Sequence, residues 1–93
     1  MNFAPTDSFE ISSDVLSQEV NGETVLLDLE GESYFGLNEV GTRIWQLLLA
    51  KVSLAEALET LTDEYDVGRE QLEADLTELL AKLMKAKLIR VST

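Results

Sequence analysis

The chain has no cysteine and no histidine among its 93 residues. Those two absences remove thiol nucleophiles, disulfides, thiolate or imidazole metal sites and Ser-His-Asp chemistry together. With a single proline the chain holds no proline-rich linker, and no repeat or low-complexity segment interrupts it. No apolar run approaches the ~20 residues of a membrane span, and residues 1–12 hold neither a basic residue nor a continuous apolar core, so they do not read as a secretory signal. The expectation is a soluble, cytoplasmic, non-catalytic protein that uses no cofactor and no metal.

Positive charge is also scarce, and it is missing altogether from the first part of the chain. Eighteen Asp and Glu stand against seven Lys and Arg, for a net charge of −11. Nine of the acidic residues precede Arg43, which is the first basic residue. Four of the seven basic residues, Lys82, Lys85, Lys87 and Arg90, crowd the last dozen positions. A phosphate backbone is bound through clustered Lys and Arg, so nucleic acid and anionic membranes are disfavoured as partners. With 45% hydrophobic residues the chain is nonetheless too apolar to be a disordered acidic tail, and it should fold as one domain over 1–93.

The first ordered segments read as strands. Val15 to Val20 alternates loosely and ends on Asn21-Gly22, a strong signal for a type I′ hairpin because both central residues need positive φ. Thr24 to Leu29 pairs back on it, with Val20 opposite Glu23 and Gln18 opposite Val25. That register places Leu16, Val25, Leu27 and Leu29 on one face, the expected core face. A turn at Glu30-Gly31-Glu32 leads to a third strand, Ser33 to Leu37. A three-residue loop there sets Phe35 and Leu37 inward and Tyr34 outward.

The hydrophobic period then changes to that of helices. Asn38 is a good N-cap for a helix over about 39–50 carrying Val40, Ile44, Trp45, Leu47 and Leu48. Ser53 with Glu56 forms a capping box for a second helix to about Tyr65. Gly68 opens a third and longest helix, with Leu72, Leu76, Leu79, Leu80 and Leu83 as its apolar stripe. Its acidic first half and basic end suit the helix macrodipole. Leu88 to Val91 is a candidate closing strand. The fold class is therefore α+β, a three-stranded antiparallel sheet followed by three helices, with residues 1–12 as a flexible lead-in.

Most candidate sites have a structural explanation. The acidic pairs lack the spacing of a calcium loop and read as solvated surface. Gly36 and Gly41 lack the spacing of a phosphate-binding loop, and Gly41 within a helix points to close packing. The third strand is different. It is short, uncharged from Ser33 to Leu37 and free of the lysine or proline that protects an edge. Either the closing strand or the N-terminal segment covers that edge, or it stays open. If open, the flanks of the third helix (Leu76, Leu80, Leu83, Met84) would line a groove with it, and a peptide could add as a further strand.

The stretch from Val25 through Tyr34, Phe35, Gly36, Leu37, Asn38 and Gly41 to Trp45 and Leu48 resembles the PqqD-like family of RiPP recognition elements. The likeness continues through Glu64 to Val67, Leu72 to Leu76 and Leu88-Ile89, about three quarters of the chain, and leaves the first dozen residues unmatched. It implies a winged helix-turn-helix-like fold and a peptide chaperone. In such proteins the leader of a ribosomally made precursor peptide adds antiparallel to the third strand and packs on the third helix. Carried over, the peptide-binding residues are Glu32, Ser33, Tyr34, Phe35, Gly36, Asp75, Leu76, Leu79, Leu80 and Leu83. The partners implied are a precursor leader peptide and a separate leader peptidase or other modifying enzyme, as in lasso-peptide pathways. Pyrroloquinoline quinone biosynthesis is the second reading and a self-pairing structural module the third. A DNA-binding role, which the winged-helix likeness raises, conflicts with Glu70, Glu73, Asp75 and Glu78 on the would-be recognition helix.

Overall fold

In the computed structural model, which describes residues 3–92, the Asn21-Gly22 turn joins β2 (Val15–Val20) to β3 (Glu23–Asp28). Asn21 and Gly22 have φ of 54° and 81°, as a type I′ turn requires. The register is the expected one, with Val20 opposite Glu23 and Gln18 opposite Val25. Residues 29–32 then connect to β4 (Ser33–Leu37) as a four-residue loop, one residue longer than expected, so Asp28 pairs with Ser33 and Phe35 lies opposite Leu26 rather than Leu27. Three helices follow, α1 (Glu39–Leu49), α2 (Leu54–Glu64) and α3 (Arg69–Lys85), so the α+β class holds.

The capping signals act as expected at two of the three helix starts. Asn38 Oδ1 accepts from Gly41 N–H at 2.8 Å, and Ser53 Oγ accepts from Glu56 N–H at 3.2 Å. Gly68 offers α3 no side-chain cap, and within the helix the Gln71 side-chain amide donates to Asp75 Oδ1 at 2.9 Å. Gly41 has a packing role: a Cβ there would meet Leu37 Cβ at 3.2 Å and Asn38 Oδ1 at 3.3 Å. This close approach folds α1 back over the end of β4.

The face of the sheet that the helices bury is not the one alternation favours. Leu26 is 0% exposed and packs in the core with Leu37, Ile44, Trp45 and the α3 leucines, while Thr24 on the same face is also buried. Leu16, Val25, Leu27 and Leu29, expected inward, face solvent. Both faces of the hairpin carry apolar residues, and a count along the strands chooses the more apolar one. The helices, however, cover the face onto which the chain turns at Leu37-Asn38. Phe35 and Leu37 do point inward, opposite Leu26 and Thr24, and Tyr34 points out.

Part of the N-terminal segment forms a strand that the sequence does not announce. β1 (Ser8–Ile11) pairs antiparallel with β5 (Ile89–Ser92) in a separate two-stranded sheet, and Phe9 is buried. The Leu54 and Ala55 N–H groups at the start of α2 donate to the carbonyls of Asp7 and Pro5 at 2.7 and 2.9 Å. A four-residue strand with one core side chain carries too little periodicity to be seen without its partner. Two ion pairs reinforce the frame. Arg90 meets Glu10 at 2.6 Å across β1 and β5, and Arg43 binds both oxygens of Glu64 at 2.7 Å, joining α1 to α2.

The hydrogen-bonded arginine, aided by its charge, holds each of these carboxyls below its ordinary value. A depressed folded-state value stabilises the fold above the unfolded carboxylate value, and that contribution is lost as pH falls through the folded one. The Arg43–Glu64 side chains are about one-third exposed, so the pair contributes on the order of 0.5–1 kcal/mol, or roughly 2–6 °C in Tm at neutral pH. The wild-type advantage over Arg43→Met in thermal melts should therefore be present at pH 7 and shrink toward zero as pH falls below about 4. An advantage unchanged at pH 3 would show that the Arg43 stem, not its charge, joins the helices.

Candidate functional site: an open strand edge beside helix three

The sheet order is β2-β3-β4, so β4 has a strand on one side only among the described residues. The closing strand pairs with β1 instead, which answers the alternative in which it covers this edge.

Backbone geometry identifies the groups that β4 leaves free. A two-residue turn makes Val20 and Glu23 a hydrogen-bonded pair, and bonding then alternates along the ladder through Gln18·Val25 and Leu16·Leu27. Thr24, Leu26 and Asp28 must then turn their N–H and C=O toward β4, where they meet Leu37, Phe35 and Ser33. The N–H and C=O groups of Tyr34 and Gly36 consequently point away from β3, along the open edge. Glu32, with φ of 54°, lies in the turn just before the strand.

Beside this edge lies a groove of about 300 Å³. Gly36, Leu37 and Asn38 form one wall, Val40, Gly41 and Ile44 of α1 its floor, and Asp75, Glu78, Leu79 and Lys82 of α3 the other wall. The α3 residues follow i, i+3, i+4, i+7 spacing, a face adjacent to the core stripe. The wall is apolar at Leu79 and charged around it. Glu78 and Lys82 pair at 3.2 Å near the surface, and Asp75 is held by Gln71.

Of the ten carried-over residues, Gly36, Asp75 and Leu79 line the groove, while Ser33, Tyr34 and Phe35 complete the strand beside it. Leu76, Leu80 and Leu83 do not belong with them. Each is at most 1% exposed and packs in the core, so none presents surface to a ligand at this edge. Met84, expected to flank the groove, does not line it either. An apolar stripe as wide as that of α3 does not reveal which of its leucines faces the sheet and which flanks it. Glu78, Lys82, Asn38, Val40, Gly41 and Ile44 also line the groove and are not among the carried-over residues. The α3 pair follows from the spacing once Asp75 and Leu79 are placed; the others depend on how α1 docks. Among the described residues no group of three or more His, Cys, Asp or Glu could hold a metal ion, and no helix is long and apolar enough to cross a membrane.

The family described as coenzyme PQQ synthesis protein D (PqqD) matches residues 23–89. No curated protein sequence matches the chain. Among solved structures, TbiB1 in complex with the TbiA(beta) leader peptide is 38% identical, with a TM-score of 0.81 over 87% of this chain and 94% of that one. A lasso peptide synthetase B1 complexed with the leader peptide is 29% identical, with a TM-score of 0.80 over 89% of this chain and 98% of that one.

Proposed function

This chain belongs to the PqqD family, and from that premise we propose that it is a non-catalytic peptide chaperone of lasso-peptide or related RiPP biosynthesis. It binds the leader of a ribosomally synthesised precursor and presents the peptide to a separate leader peptidase or other modifying enzyme. The observation that carries this reading is the unpaired edge of β4 facing a groove walled by α3. A peptide laid antiparallel along that edge bonds to the backbone of Tyr34 and Gly36. Its side chains then alternate, one set entering the groove against Leu37, Ile44 and Leu79. Backbone bonds supply affinity and the groove supplies selectivity. A chaperone of pyrroloquinoline quinone biosynthesis is the second reading, supported by the description of the matching family, while both leader-bound structural relatives favour the first.

A labelled peptide carrying the leader encoded beside this chain should bind with micromolar or tighter affinity, about −8 kcal/mol or better, in fluorescence anisotropy. Failure of the folded protein to bind at tens of micromolar would overturn the reading. The groove wall sets two carboxylates, Asp75 and Glu78, against the single cation Lys82, which pairs with Glu78, and this net negative charge favours basic leader side chains. Affinity for such a leader should therefore weaken between about 50 and 500 mM salt, and a flat salt response would remove that electrostatic contribution.

A further inference from the structure

A glycine inside a strand weakens it, so its presence marks a bulge, a bend or a point where another group comes close. Gly36 of β4 meets none of these needs within the chain. Its φ is not positive, the ladder runs through it in register with Val25, and a Cβ there would meet no atom within 4 Å. The free protein could carry a side chain at this position without strain and would gain stability from it. What the glycine leaves is space on the outer face of the sheet. The row Leu16, Leu27 and Tyr34 is filled out to the open edge, whereas the row Gln18, Val25 and Gly36 stops short of it. A hollow of about 480 Å³ opens there, lined by Val20 and Val25, which are 52% and 36% exposed, with Glu23 at its rim.

We propose that Gly36 is a specificity-determining residue: its missing side chain admits one large aromatic side chain of the bound leader, which lies over the glycine and against Val25 and Val20. The proposal rests on the chaperone reading. The Gly36 N–H and C=O point along the open edge, so the leader residue opposite exchanges both hydrogen bonds with it and projects its side chain onto the outer face. Val25 lies two strand spacings, about 10 Å, from the leader backbone. A ring and the valine side chain close that span together; an alanine or serine does not. An aromatic residue packed over a cross-strand glycine also restores the pairing that the glycine forfeits. Two leader residues along, Tyr34 already fills the equivalent space, so only one position is selected in this way. Glu23 at the rim disfavours an acidic occupant.

The test crosses Gly36→Val and Gly36→Ala with an alanine scan of the labelled leader encoded beside this chain, read by fluorescence anisotropy. Both variants keep the backbone N–H and C=O and should melt at or above the wild-type Tm. Gly36→Val should weaken the unmodified leader about tenfold, and Gly36→Ala by less. At one aromatic leader position, alanine should weaken binding to wild type yet bring wild type and Gly36→Val within about twofold of each other, a coupling that identifies the residue over Gly36. The same loss in Gly36→Val for every alanine leader would mean that a side chain there obstructs the strand itself. Affinity within twofold of wild type for the unmodified leader would mean that the space is unused. Either result, or coupling at a non-aromatic position, overturns the proposal and leaves the chaperone reading standing. A Gly36→Ala protein that melts well below wild type also overturns it, because the fold itself would then need the glycine. Failure of wild type to bind any leader overturns the chaperone reading and this proposal with it.

Discussion

Replacing Tyr34 by proline should weaken leader binding about tenfold while leaving the fold intact. The Tyr34 N–H points out along the open edge, so the substitution removes no bond of the β3-β4 ladder, and proline is tolerated on an edge strand in that orientation. Its loss from the bound state removes one backbone hydrogen bond and places a ring where the added strand must approach, together worth about 1.5 kcal/mol or more. Tyr34→Val keeps the N–H and should bind within a few-fold of wild type. Phe35 provides the opposite case. Its N–H faces Leu26 across the ladder, so Phe35→Pro should unfold or strongly destabilise the protein. Anisotropy with labelled leader and circular dichroism separate the outcomes. If Tyr34→Pro is folded and binds with wild-type affinity, strand addition at β4 is wrong.

Neighbouring leucines on α3 should behave in opposite ways. Leu80 is 0% exposed in the core, so Leu80→Ala leaves a cavity and should lower stability by about 2–5 kcal/mol, or roughly 10–25 °C in Tm. For a domain stabilised by about 5–15 kcal/mol this is a large loss, yet the molecules that remain folded should bind leader normally. Leu79 is half-buried and lines the groove. Leu79→Ala should cost less stability but weaken leader binding several-fold to tenfold, because the truncated side chain no longer covers apolar peptide surface. Thermal melts read the first effect and titration at a temperature where both variants are folded reads the second. Equal loss of affinity in both would place Leu80 in contact with the peptide and contradict its burial.

The contrast between Leu79 and Leu80 illustrates how far a sequence can be read. The order of elements from β2 onward, the Asn21-Gly22 register and the caps at Asn38 and Ser53 depend on residues within a few positions of one another, where turn geometry and hydrogen bonding act locally. They were legible for that reason. The unprotected character of Ser33 to Leu37 was legible too, since a missing lysine or proline can be counted. What lay beyond local chemistry was the choice between faces. Two apolar faces of one hairpin, and five leucines along one helix, present the same periodicity whichever side is covered. β1 is not visible in the sequence because β5, its strand partner among the described residues, lies about 80 residues away.

The sequence by itself determined which chemistries are absent, the order of the elements from β2 onward, the β2-β3 register and the existence of an unprotected edge, all consequences of side-chain type and short-range backbone geometry. Only the tertiary structure decided that the edge stays open, that Asp75, Glu78, Leu79 and Lys82 rather than Leu76, Leu80 and Leu83 wall the groove beside it, and that Leu16, Leu27 and Tyr34 face outward. The physical reason is packing between segments distant in the chain: the helices close over the Leu26 face of the sheet, which buries one set of leucines and leaves the other apolar face exposed.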